Sequence, residues 1–218
     1  MTLARADNKV DGEIWSVLLG NALVLACALW NAWPVALLVW PFWMQSVVVG
    51  LLAARRVLAL RRFGTSGLKW YGLYVAEVPE AKRRAVRIFL LQYGVFHLAC
   101  LAFVIPMAPI PAGEGWSVLV GGAVFAIAQI LAQRAALARD ALGKPDLGTV
   151  MAMTHVRVLP MVLVILLGIA AGRDSPIALG LFMALKTATE LGMLRIERVI
   201  ATRACADAAP HTPRPHDG

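Results

Sequence analysis

The sequence predicts an all-α protein, a polytopic integral membrane bundle of about six transmembrane helices. Apolar residues fall into six long blocks, each of a length suited to crossing about 30 Å of hydrocarbon at 1.5 Å per residue. Charged residues make up only 16% of the 218-residue chain, well below the roughly 25% usual in soluble domains. Those charges gather between the apolar blocks, with Lys and Arg concentrated on alternate connections.

The first block, Ile14–Trp30, is short and contains Asn21. Ala26-Cys27-Ala28 has the small-residue look of a signal-peptidase site, but the leader carries Asp7, Asp11 and Glu13, which suits a basic targeting region poorly. A retained span is the expectation. The remaining spans are expected at Val35–Leu58, Arg87–Met107, Trp116–Ala136, Val156–Ala171 and Pro176–Leu194. Together they form one domain over 1–198, with a basic loop at about 61–86. The tail, 199–218, reads as disordered from its prolines and lack of large apolar residues. His211 and His216 in it are expected to be solvated.

The connection 55–87 carries nine Lys and Arg residues, 134–157 four, the N-terminus two and the C-terminus four, against Arg173 alone on the opposite side. The positive-inside rule then places both termini and both basic connections in the cytoplasm of a bacterial-type inner membrane. Trp30, Trp33 and Trp116 would lie at the outer interface. The formal charge of +8 flanks apolar blocks and forms no aromatic-interleaved patch. It points to anionic lipid headgroups at the cytoplasmic loop and not to nucleic acid. "GLKWYGLYV", Gly67 to Val75, either lies on the inner leaflet or packs as a loop.

Polar residues recur at one depth. Lys186 lies about ten residues, or about 15 Å, into the last span; Asn21, Gln45 and His97 are near the centres of theirs, with Gln129 slightly nearer the cytoplasm. A second layer contains Gln92, Gln133 and Glu190. A central Lys opposes insertion by about 2.5–3.5 kcal/mol, while each Leu, Ile or Phe returns about 0.3–0.6. The apolar residues of the last span barely cover Lys186 and leave Glu190 unmatched, so the pair is expected to face Gln45, Gln92 or His97 on neighbouring helices. Amides such as Asn21, Gln129 and Gln133, taken singly, read as packing bonds. The fifth span, with only Pro160 in its body, reads as the most lipid-exposed, and Gly168 and Gly172 as a close-packing pair.

Several short motifs share this frame. "LVWPFWMQSVVVGLL" sets Phe42 and Trp43 before Gln45, with Gly50 following; "FLLQYGVFH" carries Phe89, Gln92, Tyr93, Gly94 and Phe96. "VMAMTHVRVLPMVLVILLG" carries Met151, Arg157, Pro160, Met161, Val162 and Gly168, and "ALKTATELGM" closes with Lys186 and Glu190. In these the chain resembles, over most of its length, the prokaryotic "domain of unknown function 6498" family of multi-span membrane proteins. The resemblance implies a similar layout. It also implies a departure, because Gln45 stands where a glutamate is usual, Gln92 where a histidine is usual, and Val162 where a histidine is common. A family site of metal or proton-relay type would here be lost or altered, since amides are poor metal ligands.

No phosphate loop, nucleophile elbow, zinc-protease helix or Cys pair is present, and Ser46, Thr187 and Thr189 have no evident base partner. Cys27, Cys100 and Cys205 lack metal-ligand spacing. No metal or cofactor is expected. The leading functional expectation is binding or permeation of a small polar or anionic solute, or of protons, at a polar core of Gln45, Gln92, His97, Lys186 and Glu190. One alternative is an intramembrane lipid-modifying enzyme with His97 or Glu190 as acid/base. The other is a non-catalytic scaffold. Expected partners are the bilayer and its anionic headgroups, with room for a homo-oligomer.

Overall fold

The computed structural model describes residues 2–33, 35–70, 72–141, 143–170 and 176–207. Six helices carry the fold: α1 (Thr2–Trp30), α2 (Val35–Ala59), α3 (Pro79–Met107), α4 (Gly115–Asp140), α5 (Leu147–Ala170) and α6 (Pro176–Asp207). The all-α expectation holds. A two-residue ribbon, β1 (Lys69–Trp70) antiparallel to β2 (Leu73–Tyr74), interrupts the α2–α3 connection, and Gly72 turns it at φ +81°.

Among the described residues, three helices are long and apolar enough to cross a bilayer, over Leu37–Ala59, Pro79–Pro106 and Gly115–Asp140; the apolar stretches Ile14–Trp30 and Leu147–Leu159 are shorter. The helices also outrun the apolar blocks. α3 starts at Pro79, where proline suits the first helical turn because its missing N–H would go unused there. α6 continues to Asp207, so residues 199–207 of the expected disordered tail are helical. The reason is local: Pro210, Pro213 and Pro215, which suggested disorder, all follow Asp207, while Arg195–Asp207 contains no proline or glycine. His211, His216, Gly172 and Arg173 lie outside the described residues.

α2 is the central helix and packs on α3, α4 and α5; α1 lies against α4 and α6, and α5 against α6. Two glycines mark close approaches between helices. A Cβ at Gly50 would stand 2.2 Å from the Tyr93 ring, and one at Gly122 2.6 Å from Met44 Sδ. A side chain at Gly50 would push α2 off α3, because the Tyr93 ring is rigid, whereas one at Gly122 would first displace the flexible end of Met44.

The two ends of the bundle differ. One carries the 60–78 and 141–146 connections and is called the basic end below. There Lys82 donates to the carbonyls of Leu58 and Leu60 (both 2.9 Å), closing the C-terminus of α2. Asp146 fastens the two connections together. Its carboxylate accepts the Gly67 N–H (3.0 Å), the Ser66 hydroxyl (3.0 Å) and the Thr149 N–H (2.9 Å), while Leu147 N–H donates to Gly64 O (3.0 Å). Burial pushes the Asp146 carboxyl up, but the N–H groups of Gly67 and Thr149 and two hydroxyls outweigh it and hold it below the usual range. "GLKWYGLYV" thus divides: Gly67 is packed, whereas Leu73 and Tyr74 are 73% and 76% exposed.

At the opposite end Trp33 is buried and donates through Nε1 to Glu114 (3.1 Å), whereas Trp30 and Trp116 are exposed. Of the three expected interface tryptophans, Trp33 therefore serves as a packing residue.

Candidate functional site

Helical spacing puts Lys186 and Glu190 on one face of α6, one turn apart. Lys186 Nζ donates to Glu190 Oε1 (2.9 Å) and to Asn21 Oδ1 of α1 (2.7 Å). The ammonium also stands 4.2 Å from the Phe125 ring centroid and 5.0 Å from that of Phe42. Facing a π-cloud costs a cation less than facing aliphatic carbon, because the ring quadrupole attracts positive charge. Glu190 Oε1 also accepts the Gln45 amide N–H (2.7 Å), and Oε2 accepts the Asn21 amide N–H (2.8 Å). Asn21 further donates to Thr187 Oγ1 (3.1 Å), whose own proton goes to Met183 O (2.7 Å). α1, α2 and α6 are thereby tied by a closed network, which answers how two charges survive among apolar helices.

A second cluster joins α2, α4, α5 and α6 nearer the basic end. Arg56 grips Asp140 through Nε (2.6 Å) and Nη2 (2.8 Å), in the two-pronged geometry that suits guanidinium to carboxylate. Arg157 pairs with Glu197 at 2.9 Å, and Arg56 Nη1 lies 3.9 Å from Glu197 Oε1. Between the clusters is a cavity of about 60 Å³, with Gln45, Ser46, Gln129, Arg157, Lys186 and Glu190 among its lining residues. A smaller one, about 20 Å³, continues toward Arg56 and shares Gln129 and Arg157 with the first.

A third cluster sits beside this cavity on α2 and α3. Ser46 Oγ lies 2.5 Å from His97 Nε2, and His97 Nδ1 2.8 Å from Tyr93 O. Ser46 therefore does have a base at hydrogen-bonding distance, contrary to the sequence expectation. Nothing in the local sequence signals it, because Ser46 and His97 are far apart in the chain and meet only when α2 packs on α3.

Of the five residues expected at the polar core, the structure brings Gln45, Lys186 and Glu190 into direct contact. His97 is buried but bonds Ser46 and Tyr93 and not the ion pair. Gln92 is exposed and belongs to none of the clusters. The correction is geometric: depth alone placed Gln92 in the layer, whereas five residues at about 100° each turn it roughly 140° away from His97 around α3. Asn21, read as a packing amide, is instead a direct partner of both charges. Arg56, Asp140, Arg157 and Glu197 went unseen as a cluster because basic residues near helix ends read as topology markers.

The match to known sequences covers nearly the whole of this architecture, as the model of a family of unknown function, DUF6498, fits residues 3–207. The chain belongs to that family. No curated protein and no solved structure matches it. Membership in DUF6498 agrees with the resemblance read from the motifs around Gln45, Tyr93, Arg157 and Lys186. Among the described residues, no group of three His, Cys, Asp or Glu side chains is placed to hold a metal ion.

Proposed function

We propose that this DUF6498 member is a multi-pass protein of a bacterial cytoplasmic membrane, with both termini and the basic end in the cytoplasm. In this reading it admits protons, or a comparably small polar solute, to the Lys186–Glu190 pair from the basic end. The observation that carries the reading is the cavity between the two charged clusters. At about 60 Å³, and with roughly 10–15 Å³ needed per water, it has room for about four to six waters or a solute of comparable size. Its charges favour protons or a neutral solute over an anion: Lys186 is paired with Glu190, and Arg157 with Glu197. Exposed Leu91, Val95, Leu98, Phe103 and Ile105 along α3 give the bundle the apolar surface a bilayer would cover. The Lys and Arg bias supplies the orientation.

The test is proton uptake into liposomes carrying the purified protein and an internal pH indicator. Wild type should relax an imposed pH gradient faster than protein-free vesicles, and Glu190→Gln should remove most of the difference. Equal rates for wild type, Glu190→Gln and empty vesicles would overturn proton binding and leave the polar network a packing device. Cysteine labelling of intact cells that reached 61–86 but not 108–115 would overturn the orientation.

A further inference from the structure

Ser46 follows Gln45 on α2 and is one of the residues lining the cavity, with Lys186 and Glu190. The protons in its cluster can be assigned by elimination. Tyr93 O is a carbonyl and can only accept, so His97 Nδ1 carries the ring hydrogen and Nε2 presents a lone pair. The Ser46 hydroxyl, 2.5 Å away, therefore donates to Nε2. Tyr93 fixes the arrangement from a second direction: its ring stacks on the imidazole with centroids 4.2 Å apart, and its hydroxyl donates to Ser46 O at 2.7 Å. A hydroxyl, a base within hydrogen-bond reach and a third group orienting that base are the parts of an activated nucleophile. The cavity gives the hydroxyl a space in which to meet a reagent.

We propose that Ser46 is a nucleophile, with His97 as its general base, for acyl transfer from a short-chain ester inside the bundle. In the forward step Ser46 Oγ bonds the ester carbonyl carbon and its proton moves to His97 Nε2. The ester C–O bond then breaks, and the leaving alkoxide takes the proton from Nε2. Water, deprotonated by the same nitrogen, cleaves the acyl-serine and restores both groups. Gln45, Gln129 and Arg157 are the N–H-bearing neighbours on the cavity wall for the carbonyl oxygen. Tyr93 is a positioning residue. The cavity volume limits the acyl group to about the size of acetyl. This activity goes beyond proton or solute binding and does not depend on it.

The test is covalent labelling of the full chain in detergent with methanesulfonyl fluoride, an acetyl-sized reagent that forms an Oγ–S bond and expels fluoride. Peptide mapping should find the adduct on Ser46, and Ser46→Ala should lack it. His97→Gln should slow labelling about 100-fold, the usual scale of general-base assistance. Methyl acetate should show a matching hydrolysis to acetate and methanol. The absence of a wild-type Ser46 adduct, or an unchanged rate in a folded His97→Gln variant, would overturn the proposal and leave Ser46–His97 an interhelical hydrogen bond. If His97→Gln fails to fold, the solvent isotope effect on wild-type labelling decides. Slower labelling in heavy water supports proton transfer from Ser46 to His97, and equal rates overturn it.

Discussion

Away from the basic end, the helices meet through Val24, Ala28, Leu37, Leu38, Val118 and Phe125, none more than 3% exposed. Toward the basic end the fully buried Val57 and Leu147 continue that packing, but Arg56, Asp140, Arg157 and Glu197 join it, beside cavities of about 60 and 20 Å³. The Lys186 layer is the border. On its apolar side Phe42 stacks on Phe182 at 5.1 Å and lies 5.2 Å from Phe125, closing the level at which the ammonium sits. One bundle is thus held by two kinds of contact. Aliphatic and aromatic groups fill space in any direction and leave little of it. Ion pairs demand fixed geometry, and the space they cannot fill becomes available to water or a ligand.

The largest expected effect sits on the border. Lys186→Met alone removes the main partner of Glu190 and should destabilise the protein by about 3–5 kcal/mol. The double variant Lys186→Met with Glu190→Leu should recover most of that loss, since apolar groups of similar volume often replace a buried pair without penalty. Thermal melts in detergent check both. A single variant as stable as wild type would mean that Glu190 finds enough support in Asn21 and Gln45, and that the border belongs energetically to the polar half.

A cavity cut into the filled half should cost more than bulk added to the hollow one. Leu38 is completely buried, and Leu38→Ala should cost about 2–5 kcal/mol because little around it can collapse. Ala132, by contrast, borders the larger cavity, so Ala132→Val should cost well under 1.5 kcal/mol. Equal penalties for the two, measured by the same melts, would erase the distinction between a filled half and a hollow one.

The smallest effect depends on pH and is confined to the basic end. The folded structure holds the Asp146 carboxyl below its ordinary value, so its contribution is present above the unfolded-chain value, near 4, and is lost as pH falls through the lower folded one. Protease nicking at 64–68 should therefore stay slow from pH 7 to 5 and accelerate below about pH 4. Asp146→Asn should nick faster at neutral pH and lose that dependence. A wild-type loop equally protected at pH 3.5 would show that Lys82 and the backbone bonds of Gly64 suffice without the carboxylate.

Much of this organisation was legible in the residues, for reasons that also mark where legibility stopped. Apolar block length is a one-dimensional property, so the six helices could be read directly. Depth is nearly one-dimensional too, which is why Gln45 and Lys186 were found together. Rotation about each helix is not, and Gln92 was misplaced for that reason while Asn21 was undervalued. Pairings that join distant helices, Ser46 with His97 or Arg56 with Asp140, depend on which helices become neighbours. That choice is set by contacts such as Gly50 against Tyr93 and Gly122 against Met44, which no single segment declares.

The fastening at Asp146 also imposes an order in time. Its partners Ser66 and Gly67 are synthesised long before Asp146, and the two intervening helices α3 and α4 must emerge first. Closing a loop of about 80 residues carries an entropic penalty on the order of 4 kcal/mol, which the packing of α2, α3 and α4 has largely met by the time α5 begins. The basic connection is therefore left unlatched through most of synthesis, and the start of the fifth helix is the event that shuts it.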